Sequence, residues 1–248
     1  MTPEPGPRAP QAVAPPEPEA LLTVQQASVR RGGRLLMRSV SFSVMPGELI
    51  VLKGANGSGK SSLLRALAGL LPLAGGELRG PAAPGGAACS DGEDLPWPDF
   101  TYLNHHNGLT PELTARENLV LAMRMGKGAA GDRIDDTAVE GALRRLGLAN
   151  ALHMPVRRLS QGQQRRAALA RVALSRARLW LLDEPLNALD DQGEGLVGML
   201  LSQHLSAGGA AVVATHQSLP VAAHRTLTLS MASSPSAAMP CVPSGLAA

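Results

Sequence analysis

Residues 54–61 read G-A-N-G-S-G-K-S, set between the apolar run E-L-I-V-L-K at 48–53 and the leucine-rich run K-S-S-L-L-R-A-L-A-G-L-L at 60–71. A buried strand that must pass through glycines straight into a helix leaves its turn few shapes. Gly54 and Gly59 frame the turn, and Ala55, Asn56, Gly57 and Ser58 fill it. Without side chains in the way, backbone N–H groups turn inward and cradle an anion. The positive end of the following helix adds to that field. Lys60 then supplies a point charge to phosphates, the Ser61 hydroxyl is placed to ligate Mg²⁺, and Ser62 completes the loop. The pattern alone occurs in many nucleotide-binding proteins, so the rest of the chain must decide among them.

Two later segments narrow the choice. Residues 159–163 read L-S-Q-G-Q, and residues 179–184 read L-W-L-L-D-E. Asp183 follows four apolar residues, which puts it at the carboxyl end of a buried strand, where ligands of α/β sheets bind. A carboxylate there can hold Mg²⁺ through water, and Glu184 stands beside it. Ser160, Gly162 and Gln163 open a helix expected over 164–175. A serine hydroxyl, a glycine N–H and a helix N-terminus together make an anion site. A third core strand, A-A-V-V-A-T at 210–215, runs into His216.

Strands alternating with helical periodicity predict an α/β fold around a parallel sheet. The pattern from Thr114 to about Leu148 is helical, with Thr114 and Glu117 spaced as a capping box. We therefore expect a small helical subdomain at about 104–160, inserted into a nucleotide-binding domain at 21–230. Residues 80–99 read as a loop rich in Pro, Gly and Ala. Residues 1–20 and 231–248 read as low-complexity tails without the apolar content to order themselves.

In this order the motifs resemble the ATP-binding cassette family, a branch of the P-loop NTPases, and the likeness runs from about Leu21 to Ser230. The resemblance implies that Glu184 is the general base for the attacking water and that His216 reaches the γ-phosphate. It further implies that Ser160 and Gly162 contact ATP held by a second copy, and that Leu189-Asp190 touches that copy. Gln161 stands where the family more often has glycine. Arg31, just before Gly33-Arg34, occupies the place of an aromatic that stacks on adenine. A guanidinium can also stack on a base, so Arg31 is open between that role and a solvated turn residue. His105, in Y-L-N-H, stands where glutamine is expected at the joint with the helical subdomain, and its neutral ring can still hydrogen-bond water.

Within the family the chain is most similar to the ATP-binding subunits of cytochrome c maturation transporters, the heme exporters. The stretch Y-L-N-H-H-N-G-L-T-P-E-L-T-A-R-E-N-L at 102–119 and the run L-S-Q-G-Q-Q-R-R-A-A-L-A-R at 159–171 carry that likeness. It implies ATP and Mg²⁺ as ligands, a homodimer, integral-membrane partners, and hydrolysis coupled to heme export or release of a heme-loaded chaperone. The alternatives are the ATPase of another small exporter and a soluble, non-transport cassette ATPase.

Composition agrees with a partner-borne membrane role. The net charge is +3, with Lys and Arg spread along the chain, which reads as solvated faces and no nucleic-acid partner. Cys89 and Cys241 make neither a metal spacing nor a disulfide framework, which suits a reducing compartment. No 20-residue apolar helix and no signal peptide is visible. The expected location is the cytoplasmic face of the inner (plasma) membrane, held there peripherally by partner subunits.

Overall fold

The computed structural model describes residues 19–80, 100–125 and 135–229. The two cysteines, most of the 80–99 loop and nearly all of both expected tails lie outside the described residues. In chain order the elements are β1 Leu22–Arg31, β2 Arg34–Val44, β3 Leu49–Lys53, α1 Lys60–Leu67, β4 Leu73–Arg79 and β5 Phe100–Leu103. There follow α2 Ala115–Met125, α3 Asp136–Arg145, α4 Gln161–Leu174, β6 Leu179–Asp183, α5 Asp191–Ser206, β7 Ala210–Ala214 and β8 Arg225–Thr228.

Five parallel strands run in the order β5-β6-β7-β3-β8. Their continuous apolar sequences follow from burial on both faces. Successive residues of β3 alternate between two hydrophobic clusters: Leu49 and Val51 face one, Ile50 and Leu52 the other. In β6, Trp180 and Leu182 join the first cluster, while Leu179 and Leu181 join the second. Helices α2 to α5 close the first cluster. Helix α1 and a separate antiparallel sheet, ordered β2-β1-β4, close the second. Of these strands the sequence pattern marks only the core strands β3, β6 and β7.

Two helix boundaries differ from expectation. Helix α1 stops at Leu67 rather than Leu71, because Gly69 takes a left-handed φ of 66° and turns the chain away. Leu63, Leu64 and Leu67 of the helix are fully buried. Helix α4 starts at Gln161 rather than residue 164, with Ser160 as its N-cap. Thr114 and Glu117 do form a capping box ahead of α2. The Thr114 N–H donates to Oε2 of Glu117 over 2.8 Å, and the Glu117 N–H donates to the Thr114 hydroxyl over 3.1 Å. Among the described residues no helix is long and apolar enough to cross a membrane.

Where α5 packs on the sheet, the His204 ring stacks on Trp180, with centroids 3.8 Å apart and planes 8° from parallel. Nε2 of His204 lies 3.2 Å from the Ala210 carbonyl. Burial holds its pKa below the ordinary 6.5, against the opposing pull of the Ala210 and Arg178 carbonyls. The unfolded chain therefore binds this proton more readily than the folded one. The contribution is complete above pH 6.5 and is lost as pH falls below it. Urea titrations should show wild-type stability declining between about pH 7 and pH 5. His204→Phe, which keeps a ring against Trp180 but cannot titrate, should decline less steeply. Parallel curves for the two proteins would contradict this.

Candidate nucleotide site

The carboxyl ends of β3, β6 and β7 bring three sequence-distant segments together. The loop after β3 is the glycine-rich turn. A Cβ on Gly54, whose φ is 151°, would lie 2.4 Å from the Leu229 carbonyl and 2.7 Å from the Ser58 hydroxyl. Only glycine fits there. Gly57 and Gly59 also have positive φ, and Gly59 is the N-cap of α1 with no side chain capping that helix. Asn56 and Ala55 are exposed, whereas Ser58, Lys60 and Ser62 are buried. The Ser58 hydroxyl is buried without a partner. Nζ of Lys60 arches back over the turn, donating to the carbonyls of Gly54 and Ala55 over 2.8 and 3.2 Å.

The Ser61 hydroxyl donates to Oδ1 of Asp183 over 2.9 Å, joining the first turn of α1 to the end of β6. Asp183 is 1% exposed, and its second oxygen, Oδ2, is buried with no partner. Burial pushes this carboxyl up, the Ser61 hydrogen bond opposing. A hydroxyl and an orphaned carboxylate oxygen are hard donors of the kind Mg²⁺ takes, completing its shell with nucleotide phosphates and water. The described residues include no cluster of three or more His, Cys, Asp or Glu fit for a metal.

Glu184, next along, has a left-handed backbone with φ 48°. Its N–H donates to the Ala214 carbonyl over 2.8 Å, and its Oε2 lies 3.0 Å from Nδ1 of His216. The strand ends of β6 and β7 thus place Glu184 and His216 side by side, although 32 residues separate them.

At the start of α4, the Ser160 hydroxyl accepts from the Gln163 N–H over 3.1 Å, and Gln163 Oε1 accepts from the Ser160 N–H over 2.9 Å. The serine keeps its own proton to donate. Gly162 has a packing reason the sequence did not display: a Cβ there would sit 2.7 Å from the Ala188 carbonyl. Ala188 is itself left-handed, φ 64°, in the turn ahead of α5. Asp190 caps α5 by accepting from Gly193 over 2.9 Å, and it also takes a 2.7 Å bond from Arg166 of α4.

Arg31 and His105 stand apart from these contacts. Arg31 is exposed at the end of β1, where Gly32 and Gly33 turn the chain into β2. No described hydrogen bond or ion pair joins it to the glycine-rich turn, although Leu36 and Met37 of β2 pack over Gly59. His105 is exposed, its ring 3.9 Å from that of His106. Desolvation, then the neighbouring His106, holds its pKa below 6.5. A cleft of about 250 Å³ beside it is lined by His105, Asn107, Pro111, Arg157 and Gln161, among others.

Two arginines depart from the reading of basic residues as solvated faces. Arg165, in the second turn of α4, is 2% exposed. Half-buried Arg171 donates to the Gly108 carbonyl over 2.7 Å and to that of Asn107 over 3.3 Å. Arg165 was hidden by its place in Q-G-Q-Q-R-R at 161–166, because a polar, basic run ordinarily marks a solvated surface.

The ABC transporter family matches residues 37–187. The chain is 46% identical over 208 residues to the cytochrome c biogenesis ATP-binding export protein CcmA 2 of Cupriavidus metallidurans, covering 82% of this chain and 92% of that one. It is 48% identical over 200 residues to CcmA of Bordetella bronchiseptica, covering 80% and 84% respectively. A solved ATP-binding subunit of an ABC transporter superposes with TM-score 0.67 at 26% identity, over 79% of each chain. A putative ABC transporter ATP-binding protein from Pyrococcus furiosus shares the fold, with TM-score 0.70 at 20% identity over 84% of this chain and 96% of that one. With the glycine-rich turn, the Ser61–Asp183 contact and the Glu184–His216 pair gathered at one sheet edge, the chain belongs to the ABC transporter family.

Proposed function

We propose that this chain is the ATP-hydrolysing subunit of an ABC transporter for cytochrome c biogenesis, serving heme export or release of a heme-loaded chaperone. The names of the relatives and the sequence likeness support the pathway. The observation that carries the chemistry is the convergence of Lys60, Ser61, Asp183, Glu184 and His216 at the ends of three parallel strands.

The roles follow from the donors and acceptors present. The N–H groups of residues 54–62 receive the phosphates. Lys60 uses two of its three donors on the Gly54 and Ala55 carbonyls and keeps the third for a phosphate oxygen. Ser61 and Asp183 would hold Mg²⁺, which when bound neutralises phosphate charge. Glu184 accepts the proton of the water whose oxygen attacks the γ-phosphorus, and ADP leaves opposite. With His216 donating to Oε2, Oε1 is the oxygen left to take that proton. Ser160, Gly162 and Gln163 at the start of α4 serve the nucleotide of a second copy, so two chains share two ATP molecules. His105, neutral at pH 7 by the direction of its shift, reports the nucleotide state to integral-membrane partners at the cytoplasmic face of the inner membrane.

Glu184→Gln should retain ATP binding and lose roughly 10²- to 10⁴-fold in turnover, read as phosphate release. Hydrolysis at the wild-type rate would remove Glu184 from the general-base role. The pathway is tested in bacteria lacking their own ATP-binding subunit for cytochrome c biogenesis. Expression of this chain should restore heme-stained c-type cytochromes, and His105→Ala should not restore them despite continued ATP hydrolysis. A chain that folds, pairs with the host's membrane subunits and hydrolyses ATP without restoring any cytochrome would point to another cargo.

A further inference from the structure

The chemistry above leaves one buried cation unused. Arg165 spends all five of its guanidinium N–H donors on protein acceptors. Nε donates to the Pro185 carbonyl over 3.2 Å, and Nη2 donates to the carbonyls of Asp183 and Glu184 over 2.7 and 2.6 Å. Nη1 donates to the Asn104 carbonyl and to Oδ1 of Asn107 over 2.8 and 3.1 Å. Burial lowers its pKa to about 10, so it remains a cation at neutral pH. Burying a charge is costly, and apolar packing of the same volume is often at least as stabilising. Stability alone does not explain an arginine at this position.

The acceptors do. Three of the five are successive carbonyls flanking Glu184, the others belonging to the loop that carries His105. Glu184 holds a left-handed φ of 48°, a conformation that is costly for a residue with a side chain and persists only where its surroundings over-determine it. On one side the Glu184 N–H is tied to Ala214, and on the other its carbonyl is tied to Arg165. We propose that Arg165 is a positioning residue that locks the Asp183–Pro185 backbone, so that the carboxylate of Glu184 stays beside His216 and over the nucleotide. Because Arg165 lies on the helix that Ser160 caps, the seating of that helix governs the general base of its own subunit. The proposal rests on the reading of Glu184 as that base.

The test compares full-length wild type, Arg165→Lys, Glu184→Gln and the double variant in steady-state ATP hydrolysis. A lysine offers three donors from one point and cannot span five acceptors. Arg165→Lys should lower kcat roughly ten- to a hundredfold, with KM for ATP little changed. Added to Glu184→Gln it should cause no further loss, because both changes act through one group. An unchanged kcat in Arg165→Lys, or losses that multiply in the double variant, would overturn the proposal. Wild-type turnover by Glu184→Gln overturns the general-base reading and this proposal with it. A slow Glu184→Gln beside a fast Arg165→Lys overturns positioning alone. Where the lysine variant is less stable, Arg165→Ala is assayed with and without millimolar guanidinium. Restored kcat supports the proposal, and native circular dichroism without restoration overturns it.

Discussion

A guanidinium enclosed by five oxygens organises this molecule. Arg165 leaves water only because each donor it carries meets an acceptor, and those acceptors come from the end of β6 and the loop after β5. Its neighbour Arg166 reaches outward to Asp190, at the far end of the same turn. The segment from Asp183 to Asp190, with its two left-handed residues Glu184 and Ala188, is thus held at both ends by α4. Gly162 closes the remaining gap by letting the Ala188 carbonyl approach the helix to within contact. These contacts join helix α4 and the strand end that carries the acidic pair into one hydrogen-bonded unit.

That unit divides the nucleotide chemistry in a particular way. On the proposed reading the sheet supplies one chain's phosphate cradle, metal-side oxygens and acidic pair, while the capped end of α4 offers a hydroxyl proton and backbone donors to the nucleotide of a second copy. On that reading, with the two linked through Arg165 and Gly162, a shift of α4 on binding one ATP displaces the backbone around the other. A hydrogen-bonded arginine transmits such a shift because its planar fork tolerates little reorientation before contacts are lost.

Much of the site was legible in the sequence because its parts are local. The glycine-rich turn, the apolar strand before it and the Thr114–Glu117 box are set by neighbours in the chain, so spacing reveals them, whereas the Ser160–Gln163 box emerged only with the earlier start of α4. The approach of Ser61 to Asp183 spans 122 residues and was legible only through the order of motifs. Other features depend on contacts that spacing does not encode. Leu70 and Leu71 continue the apolar period of α1, yet Gly69 ends the helix before them. The antiparallel sheet was missed because register shifts at Val24/Ala27 and Gln25/Ser28 break the alternation that marks a strand. Arg165 was hidden because burial of a charge is decided by distant carbonyls, which a basic run does not announce.

On the proposed reading each ATP is held by Lys60 of one copy and Ser160 of another. Mixing Lys60→Ala protein with Ser160→Arg protein tests it most directly, since a mixed pair has one doubly damaged site and one intact site. With random pairing and independent sites, hydrolysis should recover to about a quarter of the wild-type rate. A mixture no more active than either variant alone, with mixed pairs shown to form, would contradict the shared site.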